Sequence, residues 1–329
     1  MKKPPTSLAA RIKPPALRAA DTVGIVAPGS AIQRDQLEAG CATLRRMGYK
    51  PFYFQSIFER DLYFAGPVKR RARELEEMFR REEVRAIICA RGGYGCNYLL
   101  QELDLQKIAA HPKIFCGYSD ATTLLTWFAD AANLISFHGP MVAKDFAANI
   151  VDAHSWSAAT GGSPQWQIDA ASAGAKTLVS GEAEGVLYGG CLSMLAASLG
   201  TPYEIKTAGA ILFLEDTAAK PFQIDRMLMQ LKLAGKFSGV QAIIFGEMLN
   251  CVQHPEQQYT LEEVVLRVVG DLGIPVAFGL RSGHVSRGNV TLPIGVAASL
   301  SANNDEVQLK SLEAATVAPP AKAGVKSAT

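Results

Sequence analysis

The chain contains 329 residues, 48% of them hydrophobic, and carries a formal net charge of +2. That is enough apolar material for one large or two medium domains with real cores. No basic stripe is interleaved with aromatic residues, so nucleic acid is not the expected partner. The sequence has no run of 18 apolar residues, so neither a membrane span nor a membrane partner is predicted.

The N-terminus and the cysteines bear on the cellular compartment. Residues 1–20 are basic and interrupted by four prolines, and they lack the apolar core of a signal peptide. We therefore predict an N-terminal arm there. The six cysteines form no Cys-x-x-Cys pair, and most lie in apolar stretches such as IICA and IFCGY. Reduced core thiols in the cytoplasm are the favoured interpretation, ahead of zinc ligands or disulfides.

Strand-like and helix-like segments alternate from residue 21 to about residue 150. TVGIVAPGS is a buried strand entering a loop, and RDQLEAGCATLRRMGY has the apolar period of a helix. KPFYF is a second strand, VKRRARELEEMFRREEV is an amphipathic helix, and RAIICARGGYG is a strand ending in a glycine loop. This alternation predicts a parallel α/β sheet, whose functional loops gather at the C-terminal ends of the strands.

The character of the sequence changes after residue 150. Residues 151–180 include TGGSPQWQIDAASAGAKTLVSG, which is polar and weakly periodic, and we predict a linker there. Residues 181–314 contain the β-rich stretches GEAEGVLYGG, AILFLEDT and VQAIIFGEM, with helical patterns between them. They predict a β-rich α+β domain. Residues 315–329 have the composition of a disordered tail.

A serine stands at the strand-to-helix corner of KIFCGYSDATTLLTWFADA. Ser119 could be a helix N-cap, whose oxygen accepts an otherwise unpaired backbone N–H. It could also be a nucleophile on a sharp elbow, where the next backbone N–H helps to bind an oxyanion. GYSDA departs from the G-x-S-x-G pattern, because Ala121 replaces the second glycine. The local sequence alone favours the cap.

A nucleophilic serine needs a base and an acid from elsewhere in the chain. His284, in the glycine-rich loop GLRSGHVSRGNVTLPIG, and His138, after a strand, are equal candidates for the base on chemistry alone. His111, His154 and His254 lie in apparent surface segments.

Two acidic residues and a glycine loop complete the candidates. Glu215 and Asp216 end a buried strand, where a carboxylate must be paired, and only one of two neighbours can face a given site. Asp216 suits the start of the following helix better. ARGGYG could supply oxyanion or phosphate N–H groups, or could be a plain turn with positive φ. The sequence lacks both G-x-G-x-x-G and a P-loop lysine, which argues against nucleotide binding.

Eight segments, in order, resemble the LD-carboxypeptidases of serine peptidase family S66. They are VGIVAPGS, ARGGYG, GYSDATTLL, FHGPM, GTPYE, LFLEDT, IDRMLMQL and GHVSRGNVTLPIG, within residues 21–309. The family includes cytoplasmic murein tetrapeptide carboxypeptidases and microcin C self-immunity peptidases. The resemblance implies a Rossmann-like (flavodoxin-like) N-terminal domain, a smaller β-rich C-terminal domain, a homodimer, and no metal or cofactor.

The resemblance also implies a role for each matching residue. Ser119 is the expected nucleophile, His284 the general base, and Glu215 the acid that orients the histidine. The N–H groups of Asp120 and Gly93 are the expected oxyanion hole. These residues come from both domains, so the site is expected between them, where clefts are common.

The implied substrate is a murein tetrapeptide that loses its terminal D-alanine. A carboxypeptidase must bind a free carboxylate, which calls for cationic or N–H donors. Arg91, Arg281 and Arg287 lie in or near the expected site loops, and Gly92 stands beside the first of them. We expect the carboxylate to be bound by a member of this set, without choosing among the arginines.

Two rival functions remain open at this stage. A microcin C-type immunity peptidase, cutting aminoacyl-nucleotide analogues, would need an aromatic platform, for which Trp156 and Trp166 are candidates. A non-catalytic protein could hold murein peptides in the same cleft, although it would not need all three triad residues. Cys191 replaces an asparagine of many relatives, and residues 220–222 replace a Glu-Pro-Tyr sequence, so fine specificity stays open.

Overall fold

In a computed structural model, which describes residues 11–252, 256–304 and 306–318, the first half of the chain contributes five parallel strands to one sheet. These strands are β1 (Thr22–Val26), β2 (Lys50–Phe52), β3 (Val84–Cys89), β4 (Ile114–Gly117) and β5 (Ser136–His138). They lie in the order β2-β1-β3-β4-β5. This is the flavodoxin-like order, and it confirms the predicted Rossmann-like domain.

Helices pack on both faces of this first sheet. They are α1 (Arg34–Arg46), α2 (Val68–Arg80), α3 (Leu105–Ala110), α4 (Thr122–Ala131) and α5 (Ala153–Thr160). Leu37 of α1 shares a buried cluster with Ile88 of β3, whereas Leu75 of α2 shares another with Ile87. Neighbouring strand residues point to opposite faces, so the apolar run of β3 anchors a helix on each side.

A second sheet of eight strands forms from the rest of the chain. The remaining strands are β6 (Gln167–Asp169), β7 (Lys176–Val179), β8 (Gly181–Cys191), β9 (Ala210–Glu215), β10 (Ala242–Gly246), β11 (Val276–Leu280), β12 (Leu292–Ile294), β13 (Ala297–Asn303) and β14 (Glu306–Ser311). The second sheet has the order β6-β14-β13-β8-β9-β10-β11-β7, and β8 to β11 are mutually parallel. The helices α6 (Leu192–Ala197), α7 (Pro221–Leu233) and α8 (Leu261–Val269) accompany it. This separate β-rich domain agrees with the prediction.

The segments predicted as arm, linker and tail contain packed structure. Residues 151–180 form α5, β6 and β7, and these two strands are the outer edges of the second sheet. In the arm, Ile12 bridges to Leu134. Thr316, at the start of the predicted tail, is buried. Residues 1–10 and 319–329 lie outside the described part of the chain.

Strand β12 returns to the first sheet and pairs antiparallel with β5, with Leu292 opposite His138. The chain therefore crosses between the sheets directly after the loop that follows β11. The parallel strands of both sheets end near this crossing, where Thr122 Oγ1 accepts the N–H of Cys191 at 3.0 Å. Within the described residues, no helix has the length and apolar character needed to cross a membrane.

Candidate active site

Ser119 occupies a strained corner between β4 and α4. Its φ is +62°, in the left-handed region that an L-residue with a side chain adopts at a cost of about 1 kcal/mol. Ala121, and not Ser119, is the N-cap of α4, and no side-chain cap bond is present there. A Cβ at Gly117 would lie 3.0 Å from the Cβ of Ala121. Because Gly117 has no side chain, the corner has room for Ala121 at the position where the G-x-S-x-G pattern has its second glycine. The corner therefore has the geometry of a nucleophile elbow and not of a helix cap.

Glu215, the last residue of β9, and His284, in the loop after β11, form a buried pair. Glu215 Oε2 accepts hydrogen bonds from Nδ1 of His284 at 2.7 Å and from its backbone N–H at 3.1 Å. Both residues are buried. Burial by itself raises the pKa of Glu215, but the imidazoles of His284 and His138 more than offset this, and the pKa ends well below its ordinary value. The carboxylate is therefore ionised and orients the His284 ring.

The loop that carries His284 is fixed by its neighbours. Gly283 has a φ of +91°, and a Cβ there would lie 2.6 Å from the carboxyl carbon of Glu215 and 2.8 Å from Cε1 of His138. Asn289 closes the loop: its Oδ1 accepts the N–H of Gly283 at 3.0 Å, and its Nδ2 donates to the same residue's carbonyl at 3.1 Å. Position 283 requires a glycine because the loop passes directly over the carboxylate of Glu215. Any side chain at this position would displace that carboxylate.

Tyr118 joins the two halves of the site. Its ring stands edge-on to the ring of His284, with centroids 5.0 Å apart, and its hydroxyl donates to Asp145 at 3.3 Å. His284 thus lies against the residue that precedes Ser119. Among the described residues the Ser119 hydroxyl makes no hydrogen bond, and such catalytic bonds commonly tighten only with substrate. Sequence reasoning missed Tyr118, although its place next to the serine was a signal.

The glycine loop after β3 lies directly on the elbow. A Cβ at Gly92 would be 2.7 Å from Cβ and 2.9 Å from Oγ of Ser119, and 3.4 Å from the N atom of Asp120. Gly93 has a φ of +94° and packs on Ser30. In the described part of the chain, its exposed N–H donates no hydrogen bond. The N–H groups of Asp120 and Gly93 therefore remain the geometric candidates for an oxyanion hole.

A buried arginine holds this loop in place. Arg71 donates to the carbonyls of Gly95 at 2.9 Å, Gly66 at 3.1 Å and Pro28, so it ties three loops together. Burial lowers its pKa from the ordinary value. Sequence reasoning treated this helix only as amphipathic. The spacing of Arg71 from Leu75 by one turn would have placed it on the apolar face.

The two neighbouring acids at the end of β9, Glu215 and Asp216, have different hydrogen-bond partners. Asp216 accepts the N–H groups of Ser193 at 2.9 Å and Thr217 at 2.8 Å, and so serves the first turn of α6. Burial raises its pKa. The buried carboxylate of Asp120 likewise supports structure, because it accepts the N–H of Cys96 at 2.9 Å. Only Glu215 faces the histidine, as the alternation of strand residues predicts.

The arginines expected to bind a carboxylate are dispersed. Arg91 is exposed and donates to the carbonyl of Ala31 at 3.2 Å. Arg281 is half-buried and donates to the carbonyl of Ser172 at 2.9 Å. Over the residues that the structure describes, neither forms an ion pair or hydrogen bond with Ser119, Glu215 or His284. The exposed ammonium of Lys144 lies 5.2 Å from the ring centre of Tyr118, and is a further cation at this edge.

The described residues contain no group of three or more histidine, cysteine or acidic side chains that could hold a metal ion. All six cysteines are buried and unpaired. Trp156 and Trp166, considered as an aromatic platform, are both buried and offer no exposed ring. His254 lies outside the described residues.

Comparisons with known proteins cover both halves of the chain. The LD-carboxypeptidase N-terminal domain of peptidase family S66 matches residues 23–139, and the corresponding C-terminal domain matches residues 184–300. A probable murein peptide carboxypeptidase of Bacillus subtilis is 37% identical, over 88% of this chain and 91% of the relative.

Solved structures give the same result. The muramoyltetrapeptide carboxypeptidase from Oxalobacter formigenes is 30% identical with a TM-score of 0.78, over 91% of this chain and all of the other. The microcin C7 self-immunity protein MccF, solved with glutamyl sulfamoyl guanosine, is 25% identical with a TM-score of 0.84, over 92% and 99% of the two chains. The chain belongs to the LD-carboxypeptidase family of serine peptidases and is a carboxypeptidase.

Proposed function

We propose that this enzyme is a serine LD-carboxypeptidase that removes the terminal D-alanine from murein tetrapeptides through an acyl-enzyme. The observation that carries the proposal is the buried Glu215–His284 pair, joined at 2.7 Å, beside a serine held at a φ of +62°. A non-catalytic binding protein has no use for a strained serine next to an oriented imidazole. The names of the relatives support murein peptides as the substrate class.

In the first half of the reaction, Ser119 Oγ attacks the carbonyl carbon of the scissile bond, between the L-centre of the diamino acid and D-alanine. His284 Nε2 takes the proton of the hydroxyl. Glu215 accepts the Nδ1–H of His284, which fixes the tautomer and stabilises the imidazolium. His284 then gives the proton to the departing amine of D-alanine, and the peptide carbonyl remains on Ser119 as an ester.

In the second half, a water molecule attacks the ester. His284 accepts a proton from this water and returns one to Ser119 Oγ, so the free enzyme and the shortened peptide are regenerated. In both halves the negative charge on the carbonyl oxygen is stabilised by the N–H groups of Asp120 and Gly93. Loss of one such donor typically lowers the rate by about 10²–10³.

The terminal carboxylate of the substrate needs a cation or N–H donors. Arg91 is our preferred candidate, because its guanidinium is exposed and lies on the loop that overlies Ser119. Arg281 is less suited, since the carbonyl of Ser172 holds its guanidinium. Gly92 contributes by the absence of a side chain, which leaves the serine open to the substrate.

We place the reaction in the cytoplasm and assign the protein a homodimeric state. The six unpaired thiols support a reducing compartment. The dimer rests on the family resemblance. Cell fractionation and light scattering of the purified protein test these two assignments separately.

The decisive experiment is mass spectrometry of a murein tetrapeptide ending in D-alanine, incubated with the wild type and with Ser119→Ala. We expect the wild type alone to release one alanine. Cleavage by both proteins would exclude Ser119 as the nucleophile. Binding of the peptide without cleavage by the wild type would favour the non-catalytic alternative.

A second candidate is the hydrolysis of aminoacyl-nucleotide analogues, favoured by the fold shared with MccF bound to glutamyl sulfamoyl guanosine. Trp156 and Trp166 are buried, so neither offers a surface on which a nucleobase could stack. Exposed rings of Tyr63, Tyr94 and Tyr98 lie together beside the glycine loop and are the available alternative. Cleavage of an aminoacyl sulfamoyl adenosine, with no cleavage of the tetrapeptide, would favour this function.

A further inference from the structure

A second imidazole faces the carboxylate of Glu215. His138, the last residue of β5, is fully buried, and its Nε2 lies 3.7 Å from Glu215 Oε1. In the described part of the chain, neither of these two atoms has a hydrogen-bond partner. The other carboxylate oxygen, Oε2, is taken by His284. One carboxylate therefore lies between two imidazoles, and the proposed mechanism uses only one of them.

The hydroxyl of Ser282 determines where His138 carries a proton. Ser282 Oγ donates its single hydrogen to the carbonyl of Val290 at 2.8 Å, and it lies 3.0 Å from His138 Nδ1. A hydroxyl with its hydrogen already used can only accept, so Nδ1 of His138 must be the donor. Nε2 is then the nitrogen that faces Glu215. A neutral ring would turn a lone pair towards the carboxylate, whereas a protonated ring presents an N–H.

We propose that His138 is a positioning residue for the reaction: its ring is protonated at both nitrogens and pairs with Oε1 of Glu215. The pairing turns Oε2 towards His284 and offsets part of the carboxylate charge. This inference rests on the roles proposed above for Glu215 and His284.

Partial neutralisation of the Glu215 charge affects His284, the proposed general base. A buried carboxylate next to His284 favours the imidazolium, and an imidazolium cannot accept the proton of Ser119. A second cation on the same carboxylate opposes this effect and so favours the neutral, basic form of His284. Glu215 must be charged to orient the ring of His284, but its charge must not keep that ring protonated. The charge of His138 allows both conditions to be met.

The other groups around this pair do not supply the missing charge. The titratable side chains around His138 and Glu215 include Tyr118, Cys116, Cys191, Cys251, Asp145 and Asp216. Burial raises the pKa of Tyr118, Cys116 and Cys191 well above ordinary values and that of Cys251 to about 11, which keeps these groups neutral. Burial also raises the pKa of the two aspartates, and each accepts backbone N–H groups. Phe213, whose ring centroid lies 5.0 Å from that of His138, contributes only apolar contact.

The first test reads the proton directly and does not depend on activity. Nitrogen-15 NMR of the histidine rings, near pH 7 and without substrate, should show the ring of His138 as an imidazolium, assigned by the loss of its signals in His138→Gln. His284 should be neutral. A neutral His138 ring would overturn the inference, whatever the substrate proves to be. If the imidazolium is found and the wild type does not cleave the tetrapeptide, the proposed function fails while the protonation state stands.

The second test separates positioning from packing. In His138→Phe, the acid limb of the pH profile of kcat/KM should move up by about one pH unit, because the charge of Glu215 is no longer offset. Its kcat should fall about 10-fold to 100-fold through misplacement of the His284 ring. His138→Gln keeps a neutral N–H donor, so it should recover most of kcat but keep the shifted limb. An unshifted limb in both variants would overturn the proposal. His154→Gln, on the exposed face of α5, is the matched control.

Discussion

At the scale of single residues, the site depends on three positions where a side chain is missing. A Cβ at Gly92 would meet Ser119, and one at Gly283 would meet the carboxyl group of Glu215. A Cβ at Gly246 would lie 2.5 Å from the Cβ of Glu215. Each glycine therefore allows backbone to lie directly against a residue of the proposed triad. Close packing of this kind holds reacting groups in position without mobile side chains.

Gly92→Ala should abolish most activity while leaving the fold intact. The added methyl would fall 2.9 Å from Ser119 Oγ, so it would obstruct the nucleophile and its oxyanion hole. We expect kcat to fall about 100-fold or more. Gly235→Ala is the control, because its φ of +71° imposes backbone strain but a Cβ would meet open space. That variant should lose stability and keep kcat; equal activity in both variants would contradict the placement of the glycine loop.

Glu215→Gln should reduce both activity and stability, and the loss of stability should depend on pH. The pKa of Glu215 is depressed on folding, so its charge stabilises the native state fully above the ordinary pKa of 4.5. That stabilisation disappears as the pH falls through the folded-state pKa. The difference in Tm between wild type and variant should therefore be largest at neutral pH and shrink below about pH 4.5. A Tm difference that is constant from pH 7 to pH 3 would contradict the ionised, buried pair. At pH 7, kcat should fall about 10³–10⁴-fold.

At the scale of elements, helix α4, which follows the proposed nucleophile, is joined to the second sheet at the end of β8. Thr122, the first residue of α4, accepts the N–H of Cys191, and a Cβ at Gly190 would lie only 2.7 Å from the threonine side chain. This contact sets the distance between the serine on one sheet and the acid and base on the other. Gly189 and Gly190 are needed for this close packing, because a Cβ at Gly190 would meet Thr122 and one at Gly189 would meet the backbone of β9.

Thr122→Val should destabilise the protein by about 1–3 kcal/mol, because the buried N–H of Cys191 would lose its acceptor. Urea unfolding gives the free energy. Thr123→Val is the matched control: its side chain is half-buried and bonds Asn97 within the same domain. Similar small losses in the two variants would argue against the interdomain bond.

At the scale of the whole molecule, the two sheets are interlocked by the path of the chain. Strand β12 lies between β11 and β13 in sequence, yet it pairs with β5 of the first sheet. The N-terminal segment is tied in as well, since Pro15 bridges to Val317. The first sheet is therefore complete only with a strand from the second half of the chain.

We therefore expect a single cooperative unfolding transition. Calorimetric and van't Hoff enthalpies should agree, as they do for two-state unfolding. Leu292→Ala, at the buried first residue of the crossing strand, should lower the temperature of that one transition and destabilise the whole protein by about 2–5 kcal/mol. Two resolved transitions, of which Leu292→Ala shifts only one, would show that the domains unfold independently.

The sequence alone determined what depends on local pattern. Alternating strand and helix periods predicted the parallel sheet, and the flavodoxin-like order is the one observed. The apolar strand ending in Glu215 and Asp216 implied that only one acid would face the site, and only Glu215 meets His284. These inferences succeed because side-chain direction along a strand or helix repeats over a few residues.

Only the tertiary structure decided what depends on distant contacts. The polar segment 151–180 reads as a linker, yet it forms the edge strands of the second sheet. Local sequence favours Ser119 as a cap, whereas in the fold its φ is positive and the distant loop residue Gly92 packs directly on its side chain. Likewise, no local pattern shows that His138 and His284 share one carboxylate. The pairing forms because β12 returns the chain to β5, and such contacts depend on the assembled fold and not on neighbouring residues.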